Sequence, residues 1–141
     1  MRLELSKRTD LGLQALLHLC ADCPDAHLSG PDLAEAIGTT KNFLPQVMAP
    51  LIRDGWIESV PGPSGGYRLL TSAKNISLLE VIEAVEGPTA NGTCVLRGAP
   101  CPVEEPCVLH VPWTRARDAL LSELDKTPVS EVDCRALTQG G

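Results

Sequence analysis

Two short amphipathic segments that meet at Gly38 place the strongest constraint on how this chain folds. The first opens with Ser29-Gly30-Pro31-Asp32, which has the form of a helix N-cap, and Gly38 stops it. The second can be capped by Thr39 or Thr40, and its apolar stripe would face inward. Helices this short are not stable alone. Two helices joined by a turn that contains glycine form the helix-turn-helix pattern, whose second helix lies in the major groove of DNA.

The polar side of the second helix is a candidate base-reading surface. Away from its apolar stripe lie Lys41, Asn42, Pro45, Gln46 and Arg53. Asn and Gln side chains can pair with two atoms of adenine, and Lys side chains can pair with guanine. An ordinary solvated helix face is the other interpretation of these polar residues. Pro50 removes a backbone hydrogen bond inside the helix, so we expect a kink near residues 46–50.

Residues 55–70 predict a β-hairpin after this helix pair. The run Pro61-Gly62-Pro63-Ser64-Gly65-Gly66 predicts a turn between two short strands. Ser64 and Gly65 at its tip would let the backbone approach DNA closely, and Arg68 would add a positive charge there. A structural hairpin without a role in DNA binding is the alternative. The predicted fold is therefore mainly α with a small β-hairpin wing, a winged helix-turn-helix.

A first helix over about residues 6–21 is predicted from apolar residues at helical spacing. Asp10 falls in its first turn, where a carboxylate is favourable against the helix dipole whatever else it does. Cys20 falls on the apolar stripe and is expected to be a core residue. Cys20 and Cys23 have the spacing of a zinc knuckle, but the four-ligand pattern is incomplete, so no metal is expected there.

Two further helices organise the second half of the chain. Ser77 can cap a helix that Gly87-Pro88 ends. Apolar residues with a 3-4-4 rhythm then mark a longer helix: Trp113, Ala116, Leu120, Leu121 and Leu124. This stripe needs a cover, and a second copy of the chain is the natural candidate, with the chain's own domain as the alternative. The predicted units are a DNA-binding winged helix over 1–87, a cysteine loop over 88–112, and a dimerisation helix with a tail over 113–141.

Three cysteines in the proline-rich loop are the candidate metal ligands. Cys94, Cys101 and Cys107 have the spacing C-x6-C-x5-C, and His110 follows. Soft thiolates select zinc or iron-sulfur clusters. Structural zinc sites more often pair cysteines two residues apart, so the wider gaps favour a cluster. Zinc and three unrelated reduced thiols are the alternatives.

Charge and hydropathy limit the class of protein. The 141 residues carry a net charge of -6, which argues mildly against nucleic acid as a partner. Residues 1–70 are the less acidic half, with 6 Lys/Arg against 8 Asp/Glu, and DNA binding depends on a local face more than on the whole-chain charge. No apolar run approaches the roughly 20 residues that cross a bilayer, so we expect a cytoplasmic protein without a membrane partner.

Several motifs together resemble a known family. These are Met1-Arg2-Leu3, Thr9-Asp10-Leu11-Gly12-Leu13, the wing Gly62-Pro63-Ser64-Gly65-Gly66-Tyr67, the segment Ile76-Ser77-Leu78-Leu79-Glu80-Val81-Ile82 with Glu86-Gly87, and the three cysteines. Over residues 1–133 the chain resembles the Rrf2 family of iron-sulfur winged-helix transcriptional regulators, which includes the IscR, NsrR and RirA types. The resemblance implies a homodimer that binds a double-stranded operator and carries one 4Fe-4S or 2Fe-2S cluster per subunit.

The resemblance implies two rival candidates for a fourth cluster ligand beside the cysteines. The segment around Asp10 is similar to the nitric oxide sensors, in some of which an aspartate at this place completes the cluster of the partner subunit. The segment Cys107-Val108-Leu109-His110 is similar to the cluster-biogenesis regulators, whose histidine three residues after the last cysteine would make His110 the ligand.

The sequence therefore predicts a transcriptional regulator that senses iron-sulfur status, redox state or nitric oxide. A zinc-stabilised winged-helix adaptor that binds proteins without binding DNA is the alternative, which the acidic charge supports. An enzyme is not expected, because no nucleophile with a neighbouring base can be identified among these residues. An electron carrier would not need a reading helix and a wing.

Overall fold

The computed structural model describes residues 4–21, 27–89, 94, 96, 99–100, 102 and 104–132. In this part of the chain the elements are α1 (Lys7–Ala21), α2 (Gly30–Ile37), α3 (Leu44–Arg53), β1 (Ile57–Val60), β2 (Gly66–Leu69), α4 (Leu78–Glu86) and α5 (His110–Asp125), with short 3-10 helices at Ala73–Asn75 and Val129–Glu131. The predicted mainly helical fold with one small hairpin is confirmed.

Helix α1 runs through the centre of the core and packs against α2, α3 and α4. Leu16 and Leu19 are buried on its inner face, and Leu33, Met48 and Leu51 of the neighbouring helices belong to the same cluster. Burial of such side chains contributes about 1.5–3 kcal/mol each. This cluster fixes the positions of the elements that carry the candidate site.

Cys20 is exposed, so the prediction of a core residue there is wrong. Leu19 takes the inward position instead. Successive residues of a helix point about 100° apart, so Cys20 turns away from the core that Leu19 enters. Cys20 also lies in the last turn of α1.

The predicted start and end of α2 are confirmed. The Ser29 hydroxyl accepts a hydrogen bond from the Asp32 backbone N–H at 3.2 Å, which satisfies one free donor of the first turn. Gly38 has φ 76°, a left-handed conformation that favours glycine, and its N–H bonds to carbonyls of the last turn. The chain then turns into the next helix.

Helix α3 begins later than the sequence predicts. The Thr40 hydroxyl accepts a hydrogen bond from the Phe43 N–H at 3.1 Å, so Thr40 caps a turn that precedes the helix. Pro45 has no N–H, and the regular helical ladder therefore starts only at Leu44. Pro50 is buried inside the helix, which continues to Arg53 and does not stop at the proline.

The hairpin pairs β1 and β2 in antiparallel register, with Ile57 opposite Leu69. The segment before α2 joins this hairpin, because Leu28 and Tyr67 exchange two backbone hydrogen bonds of 3.1 and 2.8 Å. A Cβ on Gly66 would collide with the Leu28 carbonyl, so this close approach requires glycine. The wing is thereby fixed to the helices.

Helices α4 and α5 follow the hairpin in the chain. Ser77 and Glu80 form a complete capping box at the start of α4, and Gly87 ends the helix, as predicted. Helix α5 begins at His110, three residues before the predicted start, and none of its residues is fully buried. No helix within the described ranges is long and apolar enough to cross a membrane.

Candidate functional site

Four of the predicted DNA-binding residues form one exposed surface. Lys41 and Asn42 lie in the turn before α3, and Pro45 and Gln46 lie in its first turn. The intervening apolar residues of the helix, Leu44, Val47 and Met48, are buried and anchor it to the core. We call Lys41, Asn42, Pro45 and Gln46 the reading face, because the N-terminal part of a recognition helix meets base edges.

Arg53 lies at the opposite end of α3 from the reading face. Its Nη2 donates a hydrogen bond of 2.6 Å to the Ala84 carbonyl of α4, and its Nε lies 3.5 Å from an Asp54 carboxylate oxygen. The structure therefore does not bring Arg53 together with the other four residues. Its guanidinium contacts protein groups at the junction of α3 and α4.

Ser64 and Gly65 lie at the tip of the wing, and Ser64 is exposed. The Ser64 carbonyl lies 2.6 Å from Nε2 of His27, which belongs to the segment before α2. This contact was not predicted from the sequence, because nothing local relates two residues that are 37 positions apart. His27 therefore positions the part of the wing that is predicted to approach DNA.

Arg68 of the wing forms an ion pair with Glu58, which lies directly opposite it in the hairpin. Both side chains are partly exposed, so the pair contributes at most about 1 kcal/mol. Glu58 was not predicted from the sequence as a partner of Arg68, although the pairing follows once the strand register is known. Arg68 must share its charge between Glu58 and any phosphate that it contacts.

The cysteine segment, which is the predicted cysteine loop over 88–112, brings two of the three predicted metal ligands together. The Sγ atoms of Cys94 and Cys107 are 3.5 Å apart, and Cys94 is buried. The Cys94 N–H donates to the Ala99 carbonyl at 2.9 Å, which folds the chain back after the first cysteine. Cys101 lies outside the described residues, as do Cys23 and Cys134.

The distance between these two sulfur atoms fits thiolates on one metal ion. Two thiolates bound at about 2.3 Å to a tetrahedral metal lie about 3.8 Å apart. A disulfide bond is much shorter, at about 2.05 Å. The donor chemistry and the spacing of Cys94 and Cys107 therefore suit two ligands on the same zinc or iron ion.

Neither candidate for the fourth ligand completes a set with these cysteines in the described parts of the chain, where no group of three His, Cys, Asp or Glu could hold a metal ion. His110 is exposed in the first turn of α5, and its N–H donates to the Cys107 carbonyl at 3.0 Å. It thus lies one turn beyond Cys107.

Asp10 makes its hydrogen bonds within α1. Its carboxylate accepts from Gln14 Nε2 and from Lys7 Nζ, each at 3.0 Å. The pKa of Asp10 is below its usual value, chiefly because of the Gln14 hydrogen bond, and Lys7 adds to this effect while partial burial opposes it. The predicted place of Asp10 in the first helical turn is confirmed.

Comparisons with known proteins identify a matching family and several relatives of this chain. A family model described as "Rrf2: Iron-dependent Transcriptional regulator" matches residues 5–133. The protein BadM of Rhodopseudomonas palustris, named as an HTH-type transcriptional regulator, is 41% identical over 86 residues, 61% of this chain and 54% of BadM. The HTH-type transcriptional regulator IscR of Escherichia coli is 27% identical over 130 residues, 92% of this chain and 80% of IscR. The chain spans about half of BadM and most of IscR.

Solved structures share the fold over nearly the full chain. The structure of CymR, the global cysteine regulator of B. subtilis, has a TM-score of 0.74 at 27% identity and covers 92% of this chain and 95% of CymR. Staphylococcus aureus CymR has a TM-score of 0.70 at 30% identity, with 91% and 99% covered. Since the family model spans the reading helix, the wing, the cysteine segment and α5, the chain belongs to the Rrf2 family of DNA-binding transcriptional regulators and is not an enzyme.

Proposed function

We propose that this regulator senses iron-sulfur status, redox state or nitric oxide through an iron-sulfur cluster held by Cys94, Cys101 and Cys107. The observation that carries the proposal is the 3.5 Å separation between the Cys94 and Cys107 sulfur atoms. This separation is close to the roughly 3.8 Å expected between two thiolates on one tetrahedral metal, so it suits neighbouring ligands of one metal. The family description as iron-dependent supports iron in that position.

The spacing of the two sulfur atoms favours a 2Fe-2S cluster over a 4Fe-4S cluster. Four cysteines around a 2Fe-2S cluster give two thiolates per iron, whereas four around a 4Fe-4S cluster give one per iron. Cys94 and Cys107 lie close enough to share one iron. His110, one turn beyond Cys107, is then the proposed partner of Cys101 on the second iron.

DNA recognition is proposed for the reading face and the wing. The four residues of the reading face are exposed at the start of α3, where side chains of a recognition helix meet base edges. Asn42 and Gln46 carry the amides that pair with adenine, and Lys41 carries a charge for guanine or phosphate. Ser64, Gly65 and Arg68 are proposed to contact the DNA backbone from the wing.

A second copy of the chain is proposed to pack against α5. Leu120 is 50% exposed and Ala116 is also exposed, so the apolar stripe of this helix is only partly covered by α4. A two-fold dimer would cover the same stripe on both copies. The proposed units are the winged helix over 1–87, the cysteine loop that follows it, and a dimerisation helix that begins at His110.

Anaerobic purification followed by operator binding tests this function. We expect a coloured protein with visible absorbance, bound iron and sulfide, and an affinity for its promoter that changes when the cluster is removed. The proposed place of action is the cytoplasm, where the thiols stay reduced. A colourless protein that contains zinc and binds promoter DNA equally with and without the metal would contradict the proposal and support the zinc-stabilised alternative.

A further inference from the structure

The C-terminal end of α4 is fastened to two other helices by arginine side chains. Arg53, the last residue of α3, donates to the Ala84 carbonyl at 2.6 Å. Arg8, in the first turn of α1, donates to the Val85 carbonyl at 3.2 Å. The last carbonyls of a helix have no donor within the helix, so these two contacts satisfy groups that otherwise need a partner.

Helix α4 supplies no cation of its own for this end. Its last turn contains no basic residue, although the C-terminal end of a helix carries a partial negative charge. The guanidinium of Arg53 supplies a positive charge to this end from α3. The contact is therefore both a hydrogen bond and a favourable interaction with the helix dipole. It links the C-terminal end of α3 to the C-terminal end of α4.

The Arg53 contact joins the end of the recognition helix to the end of the helix that precedes the cysteine segment. Cys94 follows Gly87, the C-cap of α4, by seven residues, so a displacement of the cysteine segment would be passed along the chain to the end of α4. Arg53 stands at the other side of the contact, at the end of the helix whose start carries the reading face. The Arg53 side chain thus links the helix that carries the reading face to the helix that leads into the cysteine segment.

The junction also leaves room for movement. A cleft of about 430 Å³ opens beside it and is lined by Arg53, Trp56, Glu83 and Asp125 among others. The Arg53 side chain is 66% exposed along this cleft. Close-packed interiors resist small displacements, whereas a side chain that borders a cleft can follow a shift of its acceptor.

We propose that Arg53 is a positioning residue that couples the state of the cysteine segment to the orientation of the recognition helix through the Ala84 carbonyl. This inference rests on the proposed cluster, because the cluster is the signal that would be transmitted. It assigns Arg53 a role other than the direct DNA contact that its place on the polar side of α3 predicts. The two roles differ in how a substitution affects the cluster-loaded and cluster-free forms.

The test measures operator affinity for both forms of Arg53→Gln, Arg53→Met and Arg53→Lys. We expect the ratio of the two affinities in Arg53→Gln and Arg53→Met to move toward 1 by about threefold or more, since the link is lost. Lysine can still donate to one carbonyl, so Arg53→Lys should keep the wild-type ratio within about twofold. Lys74→Gln, which removes an exposed cation from the 3-10 helix Ala73–Asn75, is the matched control and should match the wild type.

A direct DNA contact gives a different result. Arg53→Gln would then weaken both forms equally and flatten the salt dependence by about one unit, and this outcome overturns the coupling role. An unchanged ratio in Arg53→Gln and Arg53→Met together with a responsive wild type also overturns it, while the proposed function stands. A wild type that lacks a cluster, or whose two forms bind DNA equally, overturns the proposed function and the coupling together.

Discussion

Cys94 and Cys107 lie 13 positions apart in the chain, and their sulfur atoms are 3.5 Å apart. Closing a loop of this length has an entropic cost, which local turns offset. One turn follows Cys94, where its N–H bonds to the Ala99 carbonyl, and another follows Cys107, where its carbonyl accepts from His110. The chain therefore holds two soft donors side by side at the point where α5 begins.

We predict that Cys94→Ser, Cys101→Ser and Cys107→Ser each lose the visible absorbance of the cluster. Serine is a harder and more weakly bound ligand than a thiolate, so the site should release iron. Cys20→Ser is the control, because Cys20 is exposed at the end of α1. Iron and sulfide content are measured in all variants. A full complement of cluster in any of the first three would refute that residue as a ligand.

The reading face should determine base preference. We expect Asn42→Ala or Gln46→Ala to cost about 1–3 kcal/mol at the preferred operator and to relax its sequence preference, because each removes an amide that pairs with a base. Asn75→Ala is a matched control, since this exposed asparagine lies in a 3-10 helix away from α3. Competition binding with operator variants measures the effect. A preferred site that is insensitive to both changes would place the recognition surface elsewhere.

The ion pair between Glu58 and Arg68 should restrain non-specific binding. Glu58→Gln releases the Arg68 guanidinium and removes a negative charge from the wing. We expect all DNA sequences to bind about two- to fivefold more tightly and the salt dependence to steepen by up to about one unit. Arg68→Gln should weaken binding to all DNA sequences alike and flatten the salt dependence of binding. Titrations of a random duplex at several salt concentrations measure both. Binding that is unchanged or tighter in Arg68→Gln would exclude a wing contact by Arg68, and weaker binding in Glu58→Gln would exclude the restraining role of Glu58.

The sequence predicted features that depend on local chemistry. Ser29, Gly38 and Ser77 act within one helical turn, and the structure confirms their helix ends. The failed prediction for Cys20 depends on packing, whereas the late start of α3 has a local cause. Whether Cys20 is buried or exposed depends on which side of α1 the neighbouring helices cover. Pro45 delays the start of α3 because it lacks an N–H.

The candidate site also combines features that the sequence predicts with features that only the structure shows. Pro45 and Gln46 of the reading face followed from the helical pattern, and their exposure agrees with it. Lys41 and Asn42 are exposed as well, but they lie in the turn before α3. The pairing of Arg68 with Glu58 depends on the strand register, and the contact between His27 and Ser64 depends on how the chain crosses the wing. The approach of Cys94 to Cys107 required the structure, since spacing alone does not bring two cysteines of a loop together.

Dimerisation through α5 gives a prediction with a closely matched control. Leu120→Glu should shift the protein toward the monomer, because a carboxylate would be buried in the proposed interface. Leu70→Glu changes an apolar residue that is 49% exposed, compared with 50% for Leu120, but it lies beside the wing. Sedimentation at micromolar concentration separates the two species. Equal association of both variants would exclude α5 as the interface.

His110 and Asp10 should differ in what their removal does to the cluster. His110 lies one turn beyond Cys107, whereas the Asp10 carboxylate is engaged by Gln14 and Lys7 within α1. We therefore expect His110→Ala to shift the visible spectrum and to speed cluster loss, and Asp10→Ala to retain the wild-type spectrum. Spectra and release rates under anaerobic conditions decide between them. The reverse pattern would make Asp10 the fourth ligand.

Asp10 should also contribute to the stability of the folded protein through its carboxylate charge. The folded-state pKa of Asp10 is lowered, so its carboxylate stabilises the folded state above the unfolded-state pKa of about 3.9 and loses this effect as pH falls through the folded-state value. Asp10→Asn should thus cost about 0.5 kcal/mol in the cluster-free protein near neutral pH, as expected for a partly exposed pair, and the cost should vanish in strong acid. Denaturant unfolding at several pH values measures this difference. A cost for Asp10→Asn that does not change with pH would mean that the carboxylate charge is not its cause.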